Sequence, residues 1–428
     1  LPPPSPRPRR IRVAAWAGAI LVLIGVVGWW AGSRLAQSPR DNTVRLAVVY
    51  SPDEDAQDFR AGVQIAVDQV NAAGGFLGHP VAVELFKEES YTDKVELEKL
   101  VAQTLQLATR IGKMSSVLAV IGHGSSATAV PASVVYERYH KLFLATHATA
   151  TSLSNHRLDL TFAMQPNNAD NANFLARWAL SQGLRNVVVL SDNSGYGIET
   201  VDQFRSLFAQ GGGTILHRGR LTTANRSIDD LLLFLMDNDV FKPADVDAFF
   251  VTSSATAESA HFIARARQMG LTMPIIGPEY LYSRQVEEWV GVQSMRDVVA
   301  VSIYDGDTST PEGQLLAAPF IQALGHPPGL MAAMGYDAVK VLAHAVKRSG
   351  TLAPDAIADN LRISRYEAPY IGASGPVTFD SHGLITDTTA HVVRHDGTRF
   401  HTVASYRKPL APLAEDGAEA PMTRSSPP

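Results

Sequence analysis

The sequence predicts an α/β protein made of two doubly wound parallel-sheet lobes, preceded by one N-terminal transmembrane helix. Three observations carry this expectation. From Val44 onward, short and almost continuously apolar runs alternate with amphipathic helical stretches, the pattern of parallel strands covered on both faces. The alternation lasts roughly 360 residues, more than one ordinary core accommodates. Before it, the run from Val13 to Gly32 carries no charge and follows a cluster of arginines.

Residues 1–43 read as a basic cytoplasmic stub and a signal anchor. Arg7, Arg9, Arg10 and Arg12 precede the apolar run Val13–Gly32, whose length matches a hydrocarbon core of about 30 Å. The arginines stay cytoplasmic, which places everything after Gly32 outside. A cleaved secretory signal has a shorter apolar stretch of about 7–15 residues and a small-x-small cleavage site. Here the run ends at Trp29-Trp30, and residues 33–38 offer no clean cleavage triplet. An uncleaved anchor is the preferred expectation and a long cleavable signal the alternative. The expected location is the periplasm, tethered in the first case and free in the second.

The globular part opens with a strand over 44–50 and a helix over 56–73. That helix places Phe59, Val63, Ile65, Ala66 and Val70 on one side and stops at Gly74-Gly75. Strands follow at 81–86, 117–121, 142–145, 187–190, 214–217, 246–251 and 274–276. Helices between them are expected at 95–110, 172–182, 198–210 and 258–269. The C-terminal section changes character: helices over 311–324 and 330–349 precede β-like runs at 377–379, 385–393 and 399–405. His395-Asp396-Gly397 supplies a hairpin turn between the last two. Residues 408–428, rich in Pro, Ala, Ser and acids, read as a disordered tail. No period of about 20–50 residues repeats, against a solenoid.

Charge narrows the function. Residues 1–43 hold six arginines and one acid, so of 37 basic and 42 acidic residues, 31 and 41 lie in the remainder. A globular part this acidic is unsuited to gripping phosphate backbones, and no nucleic-acid partner is expected. The chain has no cysteine, which excludes disulfides, thiolate metal sites, a cysteine nucleophile and a lipidated-cysteine anchor. There is no phosphate loop, no Gly-x-Gly-x-x-Gly after the first strand, no His-Glu-x-x-His and no Gly-x-Ser-x-Gly elbow. No cofactor, metal or catalytic residue is expected. His391, His395 and His401 gather in the C-terminal hairpin, where a solvated face explains them better than a metal site.

Four segments place polar groups at the carboxyl end of a parallel strand, where ligands bind in open α/β sheets. They are Gly122-His123-Gly124-Ser125-Ser126, Thr146-His147-Ala148-Thr149, Asp192-Asn193-Ser194-Gly195-Tyr196-Gly197 and Gly277-Pro278-Glu279-Tyr280. With the helix end Val70-Asn71-Ala72-Ala73-Gly74-Gly75, the helix Gly335-Tyr336-Asp337-Ala338-Val339 and the turn Asp380-Ser381-His382-Gly383, they resemble the type I periplasmic binding proteins of the branched-chain amino-acid and amide family. The resemblance runs from about Val44 to Tyr406 and rests on order and spacing, not on any single motif.

The resemblance implies a solute-binding protein, not an enzyme, whose two lobes close by a hinge on a small ligand and present it to the permease subunits of an ABC transporter. It implies that Ser126 and nearby amides at a helix start hold a carboxylate, although a serine there also suits an N-cap. Thr149 adds a hydroxyl, Tyr196 covers the ligand, and Glu279 accepts an ammonium group. Ser125, Ala148 and Thr256 complete the expected contacts. Three departures stand out. His147 replaces a small residue, Ser254-Ala255-Thr256 lacks the aromatic usual there, and Ala163-Met164 lacks an arginine. The polar end implies an α-amino acid; the rebuilt wall implies a larger pocket or another class of ligand. The expected lobes are 44–163 with 302–365 and 164–301 with 366–407, the chain crossing near 163–167, 300–305 and 365–372. A membrane-tethered sensor signalling to a partner, or a binder of a larger apolar ligand, is the alternative.

Overall fold

The computed structural model describes residues 42–52, 56–90, 96–155, 158–222, 227–237, 239–306, 310–367 and 369–408. The expected anchor Val13–Gly32 and tail residues 409–428 lie outside them. Among the described residues no helix is long and apolar enough to cross a membrane. Lys408, the first residue of the expected tail, is fixed: its amide bonds Thr388 O at 2.9 Å and its ammonium meets Asp170 at 2.6 Å.

The first sheet contains β1 (Val44–Tyr50), β2 (Val81–Lys87), β3 (Val117–Gly122), β4 (Leu142–Ala145) and β5 (Thr161–Ala163), in the order β2-β1-β3-β4-β5. All pairings are parallel, as continuous apolar strands require. Helices Ala56–Ala72, Pro311–Leu324, Leu330–Ser349 and Pro354–Glu367 cover one face; Leu97–Gly112 and Ser126–Arg138 cover the other. The second sheet contains β6 (Asn186–Ser191), β7 (Thr214–Arg220), β8 (Ala248–Thr252), β9 (Ile275–Ile276) and β10 (Val298–Ser302). It repeats the same scheme as β7-β6-β8-β9-β10. Two antiparallel strands, β14 (Thr389–His395) and β15 (Phe400–Arg407), extend it beyond β10. It too is packed on both faces.

Three passages join the sheets. The first follows β5, and the helix Asn168–Ser181 starts directly after it with a reciprocal cap. Asn167 accepts from Asp170 N at 3.0 Å, and Asp170 accepts from Asn167 N at 3.2 Å. Asn167→Ala therefore lowers stability by about 1 kcal/mol, read as a shifted urea midpoint; an unchanged midpoint refutes the cap. The second passage follows β10, where Ile303 and Tyr304 already belong to the first core.

The third passage corrects the expected boundary at 365–372. Strands β11 (Tyr370–Gly372), β12 (Gly375–Phe379) and β13 (Ile385–Thr386) form a small antiparallel sheet, and Ala373, Val377, Phe379 and Ile385 are buried in the first core. Phe379 meets Phe162 edge-on at 5.0 Å. Gly383 (φ +77°) lets the strip lie against β5: a β-carbon there would stand 2.2 Å from Thr161 O, and Ala163 N bonds Gly383 O at 2.8 Å. The chain enters the second sheet only after Asp387, whose φ of +54° breaks the run expected at 385–393. The expected strand at 246–251 begins at Ala248, because 243–245 form a 3₁₀ turn. His395 is fully buried rather than solvated, its Nδ1 accepting from Gly397 N at 3.0 Å.

Candidate functional site

An order of 2-1-3-4-5 leaves a crevice at the carboxyl ends of the strands, between β1 and β3 in one sheet and β6 and β8 in the other. The loops leaving these strands face each other across one cleft. From the first lobe it is lined by Gly124, Ser125, Ser126, His147 and Thr149. From the second come Tyr196, Ser253, Ser254, Thr256, Glu279 and Tyr280. The free cavity between the walls is about 40 Å³, well below the roughly 300 Å³ at which ligand pockets begin. Ala148, expected among the contacts, is not in this lining; its methyl is buried in the core on the face of the first sheet covered by Leu97–Gly112 and Ser126–Arg138.

On the first wall, β3 ends at Gly122 (φ +122°), where a β-carbon would lie 2.0 Å from Val49 O. The chain turns sharply there, and Ser125 becomes the N-cap of Ser126–Arg138 in extended backbone, with no capping bond from its side chain. Ser126 is thus the first helical residue and not the cap. Its Oγ accepts from Ala150 N at 3.1 Å, tying the β3 loop to the β4 loop. Among the described residues nothing accepts from the amides of Ser126 and Ala127, and orphan amides at a helix start favour an anion. Thr149 is 2% exposed. Its hydroxyl has no partner among the described residues, while its carbonyl accepts from Asn168 N at 2.8 Å. His147 Nδ1 lies 2.8 Å from Thr146 Oγ1, and its ring meets Phe59 edge-on at 4.6 Å. Burial pushes its pKa down to about 4, His123 reinforcing and Glu88 opposing, so the imidazole is neutral near pH 7.

On the second wall, Asp192 organises two loops. Its Oδ1 accepts from Ser194 Oγ at 2.6 Å, and its Oδ2 from Ser254 N at 2.8 Å and Ser253 Oγ at 3.2 Å. Ser194 in turn caps the helix Gly195–Gln210 through Gly197 N at 2.9 Å, which presents Tyr196 to the cleft. The aromatic missing from 254–256 does not leave the wall open. Tyr280 stands beside it from the β9 loop, accepting from Ser253 N at 3.0 Å, with its ring 6.3 Å from that of Tyr196. Glu279 is 6% exposed and accepts from Asn171 Nδ2 at 3.0 Å. Burial pushes its pKa up to about 7, against the pull of its own backbone amide, Asn171 and Tyr196.

Sequence reasoning placed Asp192 and Tyr280 in the strand-end segments without giving them a role, and it missed Asn171 and Ser253. The available signals were the asparagines at 167, 168, 171 and 173 opening a helix, which they disfavour, and Tyr280 standing next to Glu279. Among the described residues no group of three or more histidines and acids could hold a metal ion.

A family model described as periplasmic binding protein matches residues 50–398. Among curated relatives, the leucine-, isoleucine-, valine-, threonine- and alanine-binding protein of Pseudomonas aeruginosa is 24% identical over 84% of this chain and 92% of its own length. The Leu/Ile/Val-binding protein BraC3 of Rhizobium johnstonii is 24% identical over 76% and 83%. Among solved structures, the substrate-binding protein LivJ of Streptococcus pneumoniae, in complex with isoleucine, superposes with a TM-score of 0.73 at 20% identity. It covers 85% of this chain and 98% of that one. A solute-binding protein from Rhodopseudomonas palustris in complex with 3,4-dihydroxybenzoic acid gives a TM-score of 0.72 at 18% identity, over 86% and 98%. The strand order, the cleft and a family match over most of the chain agree, and the chain belongs to the periplasmic binding protein family of solute-binding proteins.

Proposed function

We propose that this protein captures an α-amino acid outside the cytoplasmic membrane by closure of its two lobes and delivers it to an ABC-type permease. The observation that carries the reading is the polarity of the cleft. The open amides of the helix start at Ser126 and Ala127, with the Thr149 hydroxyl, suit an anion on one wall; buried Glu279 suits a cation on the other. A zwitterion meets both ends, its carboxylate at the open amides and its ammonium at the carboxylate of Glu279. The amino-acid-binding relatives named above support the same class. The run Val13–Gly32 supports a tethered form, which membrane fractionation of the full chain tests: release by carbonate washing would count against it.

A thermal-shift screen across amino acids, their amides, aromatic acids and apolar compounds tests the reading. An amino acid at a hundred times its Kd stabilises the protein by about 2.7 kcal/mol. Shifts confined to compounds lacking an ammonium group would sink the proposal. They would favour a second reading, an aromatic acid, for which one observation speaks: a carboxyl near pKa 7 beside the Tyr196–Tyr280 ring pair.

A further inference from the structure

Directly behind the Gly122–Ser126 turn lies a second buried carboxylate that touches no ligand-facing space of the cleft. Glu88, one residue past β2, is 6% exposed. Its Oε1 accepts from Gly124 N at 2.6 Å and from Thr128 Oγ1 at 3.1 Å; its Oε2 lies 2.7 Å from His123 Nδ1. His123 is itself fully buried, and its Nε2 lies 2.8 Å from the Tyr136 hydroxyl. The turn held by these contacts is strained. His123 sits at φ +55°, a region that costs a residue with a β-carbon, immediately after Gly122 at φ +122°. Such a conformation persists only where its surroundings impose it, and here the imposing contacts converge on one carboxylate.

We propose that Glu88 is a positioning residue for the anionic end of the ligand: it holds the strained 122–128 turn so that the Ser126 and Ala127 amides face the cleft. This rests on the α-amino-acid reading for the ligand but not for the loop. A carboxylate this close to an anion seat would repel the ligand if left bare. Three donors cover it, the His123 ring, the Gly124 amide and the Thr128 hydroxyl, so its charge is spent on the turn. Charge and geometry are therefore both needed. Glu88→Gln keeps the size and one acceptor but loses the charge, whereas Glu88→Asp keeps the charge with a shorter reach.

Two measurements test this. In the ligand-free protein, hydrogen–deuterium exchange across residues 122–128 accelerates about tenfold or more in Glu88→Gln and less in Glu88→Asp, while β6 in the other lobe is unchanged. In calorimetry with the standard L-amino acids and their C-terminal amides, Glu88→Gln reduces the preference for the carboxylate over the amide by about tenfold. A lesion that merely loosens the lobe weakens both ligands together and leaves their ratio intact. An unchanged ratio, or unchanged exchange in the turn, overturns the proposal. If the wild-type protein binds none of the amino acids, it is the α-amino-acid reading that fails, and exchange alone decides the role of Glu88.

Discussion

In Glu279→Ala, calorimetry at about pH 7.5 gives a Kd for an α-amino acid weakened about 30-fold or more, roughly 2 kcal/mol. The expectation follows from burial. Glu279 is enclosed by the second wall with Asn171 as its side-chain donor, so an ammonium entering the cleft exchanges its water for this carboxylate. Without the carboxylate the ammonium is desolvated and unpaired. Affinity that does not change would remove Glu279 from the site. The pH dependence is a sharper form of the same test. In the empty cleft burial holds Glu279 up to about 7, so below that pH it carries a proton. An ammonium binds the ionised carboxylate and releases that proton. Affinity therefore strengthens as pH rises from about 5.5 to about 7.5, by at most about tenfold per unit, and then levels off. A carboxylic acid without an ammonium group prefers the protonated form, and its affinity falls over the same window. The amino-acid and aromatic-acid readings thus predict slopes of opposite sign.

Much of this molecule is written locally. The helices Pro311–Leu324 and Leu330–Ser349 have the expected ends because the signals that set them are adjacent residues. Thr310 caps the first through Gly313 N at 2.9 Å, and Gly325 and Gly350 close the two helices in the left-handed region. The strand-end loops could be found for a similar reason: a polar cluster after an apolar run marks the carboxyl edge of a parallel sheet, and that edge is where the cleft forms. What was not legible depends on partners far apart in the chain. Residues 385–393 read as one apolar run, and only packing against two different cores splits it at Asp387, where Arg365 pairs with the aspartate at 2.6 Å. The crossing expected near 300–305 overlaps the end of Val298–Ser302, a strand absent from the expected series although β14 adds onto it. Asn171 meets Glu279 across 108 positions and Glu88 meets His123 across 35, and neither pairing has a sequence period to announce it.

Glu279 also bears on the closure itself. Its carboxyl stands near pKa 7 in the closed, empty cleft against an ordinary 4.5, so ionising it there is disfavoured by about 3 kcal/mol relative to a hydrated, open cleft. The sign follows from proton binding. Between about 4.5 and about 7 the closed form binds more protons than the open form, so closure is favoured at the acid end and loses that support as pH rises through the window. The open fraction of the ligand-free protein should therefore grow as pH is raised from about 5 to about 8, whereas that of Glu279→Gln, which cannot ionise, should not change across the window. At the upper pH an amino acid closes the wild type again, because its ammonium supplies the charge that burial withheld. Between about pH 5 and about pH 8 this linkage changes the open-to-closed ratio by roughly fiftyfold or more, large enough for small-angle scattering or an inter-lobe fluorescence pair to register. The absence of cysteine makes a labelled pair unambiguous. Asp337, raised by burial to about 6, titrates in part of the same range, but it bonds Ala373 N and Ser374 N inside the first lobe. Its titration alters the stability of wild type and Glu279→Gln alike and cannot separate them. A closed fraction independent of pH, or equal in the two proteins at about pH 8, would show that Glu279 holds its ligand without controlling the hinge.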